Sequence, residues 1–506
     1  MLQRRMERVD GIIAVKKLRY RDICDRARAT ATRYTGCRIH PVAKESAASS
    51  LESYSAARKY VIPIAICVIV ALLVGGCTRK QYLDEYETAL GTDDASSTLD
   101  HIAAYYPSGI SLNFPGYILG IEESPSHWIS YSGDLKLHEI GDSGENMNIL
   151  VDMIRTEHLH YISQIYSYQG QPYGEGNCAL YNLYRGEHSG LMPICDAARE
   201  FAVNQNRDYR KTFRNSWKAL DMLKSQLAID VASGDYTHLL VLMMGLNTSQ
   251  EEAVRNFNSI VWSIRQTSGS KFRPVLVGIT WPSYTKSRWF SPIWESLSYI
   301  PKADDADKLG LSWAGILIHD VIRPLRKDII TVAIGHSFGA RALSMATCIG
   351  PAIRRDRSTD SLTAGQAVDY LIGLEAAFSL ERFSDDEIPF YEDIYYPNAC
   401  ERAGKVVLTV SKYDSAEPNV FWADHAGNYN FYDGFCEKEK PFEVTCIRSD
   451  PRGIADGPYD DSRRLVYIDT SAVMRFDVPG TFGGSHSDIF RPPAGRLIWG
   501  IISEKP

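Results

Sequence analysis

The stretch that decides the fold is Ile329-Ile330-Thr331-Val332-Ala333-Ile334-Gly335-His336-Ser337-Phe338-Gly339-Ala340-Arg341-Ala342. It predicts an apolar strand, a Gly-x-Ser-x-Gly turn and a helix that begins with small residues. A tight strand-to-helix turn can hold a serine hydroxyl in the open beside a base, which makes it a useful nucleophile. Gly335 and Gly339 remove side chains that would collide where strand and helix pack closely. The pentapeptide alone is a weak signal, but its setting makes Ser337 the candidate catalytic nucleophile.

Charge is unevenly distributed along the 506 residues of the chain. Residues 1–59 hold 14 Lys and Arg against 6 Asp and Glu, a balance of +8, so the net charge of −7 leaves −15 for the remaining residues. An acidic body argues against nucleic acid as a partner. The length allows two or three average domains, or one large α/β domain with insertions.

The first hundred residues divide by composition into three segments. We expect a basic extension over 1–59, an apolar signal or anchor segment over 60–77, and a polar tether over 78–100. The 16 residues that follow Tyr60 are apolar or small. At about 1.5 Å per residue they fall slightly short of a bilayer core, so the layout fits an export signal better than a permanent span.

The end of this segment, Val74-Gly75-Gly76-Cys77, resembles the lipobox of bacterial lipoproteins. In that family the peptide is cut before the cysteine, which then receives acyl chains, so the resemblance implies lipidation of Cys77. The basic leader is long for such a signal, and a start at Leu51 would give an ordinary length. The alternative is a single-pass anchor with its basic end in the cytoplasm. Both interpretations predict a bacterial envelope protein with 78–506 outside the cytoplasm.

Cysteine usage agrees with an oxidising compartment. Six cysteines follow Cys77, and they are Cys178, Cys195, Cys348, Cys400, Cys436 and Cys446. Six allow fifteen pairings, of which the close pairs Cys178/Cys195 and Cys436/Cys446 are favoured; buried free thiols are the alternative. Because no Cys-x-x-Cys spacing occurs, we expect no structural zinc site, and no feature of the sequence calls for another metal or a cofactor.

Residues 237–506 show the regular alternation of a parallel sheet, with short apolar runs separated by helical stretches. The predicted strands are Leu239–Met244, Pro274–Thr280, Ile329–Ile334, Tyr370–Leu374, Val406–Ser411 and Leu465–Ile468. Ser249 and Glu252 have the spacing of a capping box, and an apolar stripe follows them. The pattern predicts an α/β fold, a mostly parallel sheet flanked by helices on both faces.

Residues 101–236 give mixed signals. We expect this part to supply the first strands of the sheet and a covering layer. Pro115–Tyr131 alternates weakly and could form strands, whereas Met147–Tyr166 and Cys195–Ala232 are interpreted as helices.

The candidates for a catalytic triad follow successive strands in the order serine, acid, histidine. His486 lies on a glycine-rich loop after the last strand and is the candidate general base. Asp414, just past a strand, is the candidate acid, and Glu375, at the end of an earlier strand, is its rival. Over 237–495 this order resembles the α/β-hydrolase superfamily, and the resemblance implies an α/β-hydrolase-like core in the predicted domain 237–506.

Two backbone amides are candidates for an oxyanion hole, those of Phe338 and Leu246. Leu246 lies in a turn that resembles the His-Gly-x-Asn turn of many hydrolases, with Met244 where the family usually has histidine. Trp281-Pro282-Ser283 resembles a turn in a bacterial α/β-hydrolase group of largely unassigned substrates. His336 belongs to the elbow and is expected to point away from the base.

Aromatic residues are dense over 281–299 and 421–435, and they read equally well as an apolar substrate cleft or as the core of a small lid. The sequence therefore predicts a membrane-tethered serine hydrolase acting on a small-molecule or lipid ester. Transfer of the acyl group to another acceptor is a close variant. A non-catalytic envelope lipoprotein that uses the fold as a binding module is the competing class.

Overall fold

The fold was examined in a computed structural model, which describes sixteen parts of the chain. They are 111–123, 160–170, 176–183, 192–198, 209–246, 248, 250–283, 302–353, 365–384, 394–416, 425–429, 432, 435–436, 444–455, 464–476 and 485–503. All of them belong to the second of two units, Lys80–Pro506. Within these parts no helix is long and apolar enough to cross a membrane. The predicted segments 1–59, 60–77 and 78–100 lie outside the described residues.

Within the described residues, ten strands form one sheet. They are β1 Pro115–Glu123, β2 His160–Gln169, β3 Cys178–Asn182, β4 His238–Met243, β5 Pro274–Thr280, β6 Ile330–His336, β7 Val368–Leu374, β8 Ala403–Val410, β9 Val444–Arg448 and β10 Leu465–Asp469. Their order across the sheet is β3-β2-β1-β5-β4-β6-β7-β8-β10-β9. β2 runs antiparallel to β1 and to β3, and the other neighbouring pairs are parallel. All six strands predicted from the apolar runs are present.

Helices cover both faces of this sheet, so the predicted α/β class is confirmed. The α-helices with defined bounds are α1 Tyr209–Ala232, α2 Gln250–Ser268, α3 Trp313–Ile316, α4 Phe338–Cys348 and α5 Pro492–Ile502. Residues 302–311 are also helical, and a π-helix, Leu317–Ile322, and a 3-10 turn, Arg323–Leu325, follow α3. Further 3-10 turns span Asp196–Ala198, Gly269–Lys271, Leu380–Phe383, Pro397–Ala399 and Ser485–Ser487. α1, α3 and α4 pack on one face of the sheet, α2 and α5 on the other.

The central strands are buried on both faces, which explains their unbroken apolar runs. In β4, Leu239 and Val241 belong to one core cluster, and Leu240 and Leu242 belong to the opposite one. Successive side chains of a strand point to opposite faces, so a strand covered on both sides favours apolar residues on both faces rather than on alternate positions. The predicted stripe of α2, which includes Phe257, is part of the second cluster. Ser249 of the capping box lies outside the described residues.

The N-terminal part differs from its prediction. The helix expected over Met147–Tyr166 is wrong from residue 160 onward, because His160–Gln169 is strand β2; 147–159 lie outside the described residues. This strand is rich in the Ile and Tyr residues that favour strands, and pairing with β1 and β3 satisfies its backbone. The helix expected over Cys195–Ala232 is described as a 3-10 turn followed by α1. β1 lies within the predicted Pro115–Tyr131 and pairs with β5.

The described part of the chain contains three disulfides. The two favoured pairs, Cys178–Cys195 and Cys436–Cys446, are confirmed. The third, Cys348–Cys400, links the last residue of α4 to the turn that precedes β8. It therefore cross-links the helix that follows Ser337 to the strand that leads to Asp414.

Candidate active site

The carboxyl ends of the parallel strands carry every candidate residue. Leu246 follows β4, Ser337 follows β6, Glu375 follows β7, Asp414 follows β8 and His486 follows β10. In an open α/β sheet, ligands bind in the crevice beyond this edge. The chain therefore brings the candidates from five strand ends to one side of the sheet.

Ser337 stands alone between β6 and α4 in a strained conformation. Its φ is 54° and its ψ is −122°, although a residue with a side chain rarely adopts positive φ. A strained turn of this kind exposes the side chain of a nucleophile between strand and helix. The predicted strand–turn–helix elbow is present.

Two close approaches explain the glycines of the elbow. A Cβ at Gly335 would lie 2.3 Å from Cα of Ala340, and one at Gly339 would lie 2.2 Å from the carbonyl oxygen of Met243. Both obstacles are backbone, which cannot swing aside as a side chain can. The helix α4 can start directly after Ser337 only because these positions have no side chain.

The backbone of Ser337 is tied to the end of β7. Its N–H donates to the carbonyl of Leu374 at 3.0 Å, and its own carbonyl accepts from the amide of Ala377 at 3.3 Å. Glu375, between these partners, also has a positive φ, 47°. Since His336 pairs with Leu374 in the sheet, Ser337 and Glu375 are matching strained residues at the ends of adjacent strands.

The predicted oxyanion turn passes directly against Ser337. A Cβ at Gly245 would lie 2.6 Å from Cβ of Ser337 and 3.0 Å from its Oγ. Leu246, half-buried, is the next residue. Phe338 is the first residue of α4, where the helix dipole places partial positive charge. Asn247 of the family-like turn lies outside the described residues.

The Trp-Pro-Ser turn holds the oxyanion turn in place. Nε1 of Trp281 donates to the carbonyl of Met244 at 2.9 Å, and Oγ of Ser283 donates to the carbonyl of Thr248 at 2.8 Å. Buried Lys302 donates to the carbonyl of Pro282 at 2.8 Å. Trp281 thus has a structural role that the sequence did not reveal, although Trp followed by Pro after a strand could have suggested a rigid, anchored turn.

Asp414 and His486 are brought together. Oδ2 of Asp414 lies 2.7 Å from Nδ1 of His486, and the Asp414 side chain is fully buried. The short helix that carries His486 is tied to the acid's loop, because the amide of Ser485 donates to the carbonyl of Tyr413 at 3.1 Å. A carboxylate on Nδ1 fixes the imidazole with its proton on that nitrogen, which leaves Nε2 as the basic atom.

The prediction that His336 points away from the candidate base is wrong. Its ring packs against that of His486. The His336 and His486 rings lie 4.5 Å apart, and Nε2 of His336 donates to the carbonyl of His486 at 2.9 Å. Burial, with the neighbouring His486, lowers the pKa of His336 to about 3. The neutral ring is therefore a bridge between the elbow and the loop of the base, and its proximity to Ser337 in sequence was the available signal.

Glu375, the rival acid, lies behind Asp414 rather than beside the imidazole. Its carboxyl is buried, its Oε2 accepts the amide of Ser411 at 3.1 Å, and its Oε1 accepts the hydroxyl of Thr470 at 3.4 Å. Burial first, and the Asp414 charge second, raise the pKa of Glu375 well above its ordinary value. Of the two carboxyls, Asp414 is the one that the structure pairs with His486.

A buried ionic network anchors α4. Asp307 pairs with Arg341 at 2.6 Å and with Arg382 at 3.0 Å, and Arg382 also donates to the hydroxyl of Tyr396 at 3.0 Å. Arg341 lies four residues after Ser337. An arginine among the small and apolar residues of a buried helix signals a paired charge, and this contact could have been suspected from the sequence.

The described aromatic residues pack as a core. In the cluster 421–435, Tyr432 lies 4.8 Å and Phe435 lies 6.2 Å from the ring of Tyr467 in β10. Tyr429 stacks on Tyr432 at 5.9 Å. These three residues support a packed layer rather than cleft walls, and 284–301 lie outside the described residues. In the parts of the chain that the structure covers, no three His, Cys, Asp or Glu side chains are placed to hold a metal ion.

Comparisons with known proteins give little beyond this geometry. No family model matches the sequence, and no curated protein matches it. A crystal structure of the lin2722 gene product from Listeria innocua is similar over 53% of this chain and 96% of that chain, with 12% identity and a TM-score of 0.21. A likeness at that score carries no argument about this chain.

Proposed function

We propose that this chain is a serine hydrolase of the α/β-hydrolase type that acts on ester bonds through an acyl-enzyme. The observation that carries the proposal is Ser337 at positive φ between β6 and α4, at the same edge of the sheet as an Asp414–His486 pair at 2.7 Å. Residues held in such a strained conformation cluster at functional sites. The chain order serine, acid, histidine adds support.

The reaction follows from the roles of these groups. Oγ of Ser337 attacks the ester carbonyl while Nε2 of His486 takes the hydroxyl proton, and Asp414 holds the opposite ring nitrogen. The amides of Phe338 and Leu246 stabilise the negative charge that develops on the carbonyl oxygen. His486 then returns the proton to the leaving alcohol, and water, activated in the same way, releases the acid.

Labelling with a fluorophosphonate tests the nucleophile. We expect covalent labelling of the full chain that is lost in Ser337→Ala. Ser344→Ala is a matched control, because Ser344 is a buried serine in α4, the helix that follows Ser337, and it hydrogen-bonds the Tyr396 hydroxyl. Labelling should persist in this control. If the folded wild-type protein neither reacts with the probe nor hydrolyses short-chain esters, the result would favour a non-catalytic binding module.

Acyl transfer would use the same acyl-enzyme with a different acceptor. Adding an alcohol during hydrolysis of an activated ester distinguishes the two reactions. Release of free acid alone supports the hydrolase, whereas a new ester that dominates over free acid indicates a transferase. Graded acyl lengths in the same assay define the substrate class.

The proposed location is the bacterial envelope, with the catalytic part outside the cytoplasm. It is supported by the lipobox-like end at Cys77 and agrees with the three disulfides. Labelled palmitate incorporation that is lost in Cys77→Ala would support lipidation. Membrane association without palmitate would instead favour a single-pass anchor.

A further inference from the structure

Two side chains in the turn after β5 bracket the amide that is proposed for the oxyanion hole, that of Leu246. Nε1 of Trp281 donates to the carbonyl of Met244 at 2.9 Å, two residues before Leu246. Oγ of Ser283 donates to the carbonyl of Thr248 at 2.8 Å, two residues after it. Trp281 and Ser283 are both buried. The segment that carries the Leu246 amide is therefore held on both sides by one neighbouring turn.

The same segment packs against the elbow. A Cβ at Gly245 would lie 2.6 Å from Cβ of Ser337 and 3.0 Å from its Oγ. A Cβ at Gly339, in the first turn of α4, would lie 2.8 Å from the carbonyl oxygen of Met244. That oxygen is the acceptor of the Trp281 indole. A shift of this carbonyl would therefore also change the position of the segment relative to Oγ of Ser337.

The turn that carries the two donors is itself fixed. The amide of Ser283 donates to the carbonyl of Trp281 at 2.7 Å, and the ring of Pro282 between them restricts φ. Nζ of Lys302 donates to the carbonyl of Pro282 at 2.8 Å and pairs with Asp305 at 2.8 Å. Lys302 and Asp305 are both buried, and hydrogen bonds that involve a charged group are short and strong. The two donors thus stand on a support that is anchored by a buried ion pair.

We propose that Trp281 and Ser283 are positioning residues that determine where the Leu246 amide meets the oxyanion. Neither side chain donates to the oxyanion itself, because each acts through a backbone carbonyl beside that amide. An oxyanion donor is effective about 2.7–3.1 Å from the developing charge, and hydrogen bonds weaken steeply as their geometry departs from ideal. The inference rests on the proposed function, since that function assigns the Leu246 amide to the oxyanion hole.

Steady-state hydrolysis of a short-chain ester by the full chain tests the role of Trp281. Trp281→Phe keeps an aromatic ring but removes the donor to the Met244 carbonyl. We expect kcat to fall about tenfold while KM stays within about twofold, because a displaced oxyanion donor affects mainly the transition state. An unchanged kcat would overturn the proposal.

Trp313→Phe is the matched control. Trp313 is fully buried, and its Nε1 donates to the carbonyl of His160 at 2.8 Å, so the substitution removes the same kind of hydrogen bond away from the oxyanion turn. Its kcat should stay within about twofold of the wild type, since no oxyanion donor is displaced. A loss of kcat equal to that of Trp281→Phe would show that the effect is general and would contradict the positioning role.

A thionoester, with sulfur in place of the carbonyl oxygen, separates positioning from a loss of folded protein. Sulfur accepts hydrogen bonds weakly, so the oxyanion hole contributes less to its hydrolysis. The ratio of kcat/KM for the oxygen ester to that for the thionoester should fall about fivefold in Trp281→Phe and in Ser283→Ala, and should not change in Trp313→Phe. An unchanged ratio in Trp281→Phe and Ser283→Ala would overturn the proposal. Ser283→Ala decides alone if Trp281→Phe does not fold.

Hydrogen exchange of the backbone amides separates this inference from the proposed function. An active wild type with unchanged kcat and ester ratio in Trp281→Phe would keep the hydrolase and remove the positioning role. An unreactive wild type would overturn the hydrolase itself. Faster exchange of the Leu246 amide in Trp281→Phe than in Trp313→Phe would then still support the hold on this turn, and equal exchange would overturn that as well.

Discussion

The proposed nucleophile and the proposed acid–base pair are held at the same edge of the sheet by different means. Ser337 is fixed by close backbone packing, with Gly335 and Gly339 each touching main-chain atoms. Asp414 and His486 are fixed by hydrogen bonds between loops that are 72 residues apart. The elbow is thus a local construction, and the pair is an assembly of distant segments.

This difference determines what each region tolerates. Close packing against backbone leaves no room for an added carbon, so substitutions in the elbow should lower the stability of the protein. Hydrogen-bonded side chains can be exchanged for isosteres without a change of volume. Substitutions in the Asp414–His486 pair should therefore lower the catalytic rate while the protein stays folded.

Asp414→Asn should have the largest effect. The amide nitrogen of asparagine would donate toward Nδ1 of His486, which moves the imidazole proton to Nε2 and removes the base. We expect a fall in kcat of about 10⁴-fold, or about 5.5 kcal/mol of barrier, with the melting temperature little changed. Ester hydrolysis and thermal unfolding measure the two quantities.

Asp469→Asn is the control for this change. Asp469 also ends a strand at this edge, but its Oδ1 accepts the amide of Ser471 rather than a histidine. Its turnover should remain near that of the wild type. If Asp469→Asn were the more damaging variant, the assignment of Asp414 as the acid would be wrong.

The same difference explains how much could be predicted from the sequence. The elbow is encoded by consecutive residues, so its strand, turn and helix could be read before the structure was known. The sequence favoured Asp414 over Glu375 as the acid, but only the fold shows which strand end reaches His486. The role of Trp281 and the orientation of His336 could not be predicted for the same reason. Their partners, Met244 and His486, are distant in the chain.

Strand β2 could not be predicted from the periodicity of its apolar residues. It is buried along nearly its whole length and carries polar residues such as Gln164 among the apolar ones, so it shows no alternation. Pairing with its neighbours overrides the helical interpretation of Met147–Tyr166. The central strands, apolar along most of their length, were predictable because both of their faces are covered by helices.

Gly339→Ala should have the second-largest effect. The new methyl group would lie 2.2 Å from the carbonyl oxygen of Met243, so β4 and α4 must separate. We expect a loss of about 3 kcal/mol in the free energy of unfolding, measured with urea. The control is Gly234→Ala, where φ is 74° and no heavy atom lies within 4 Å; there only backbone strain of about 1 kcal/mol is expected. Equal losses would mean that packing does not limit the elbow.

Acid should lower the free energy of unfolding through two buried histidines. This is the smallest of the expected effects when it is counted per pH unit. His336 bridges the elbow to the base, and His319 donates to the carbonyl of Ala346 near the end of α4 at 3.0 Å. Burial is the main cause that lowers the pKa of each to about 3 from 6.5. Between these values the unfolded chain binds more protons than the folded one. The stability is therefore complete above pH 6.5 and is lost as pH falls toward 3, by about 1.4 kcal/mol per pH unit for each histidine.

His319→Gln separates the two contributions, because the glutamine amide can still donate to Ala346 but does not titrate. Urea unfolding at several pH values between 6.5 and 4 should show a slope smaller than that of the wild type by about one histidine. Glu375 acts in the opposite direction, since its raised pKa makes its contribution largest below pH 4.5 and smaller as pH rises. The pH slope of the free energy of unfolding that remains in His319→Gln then contains the contribution of His336, reduced by the opposite contribution of Glu375. An unchanged slope would show that the end of α4 opens to water before the protein unfolds, and that the elbow is less rigid than its packing indicates.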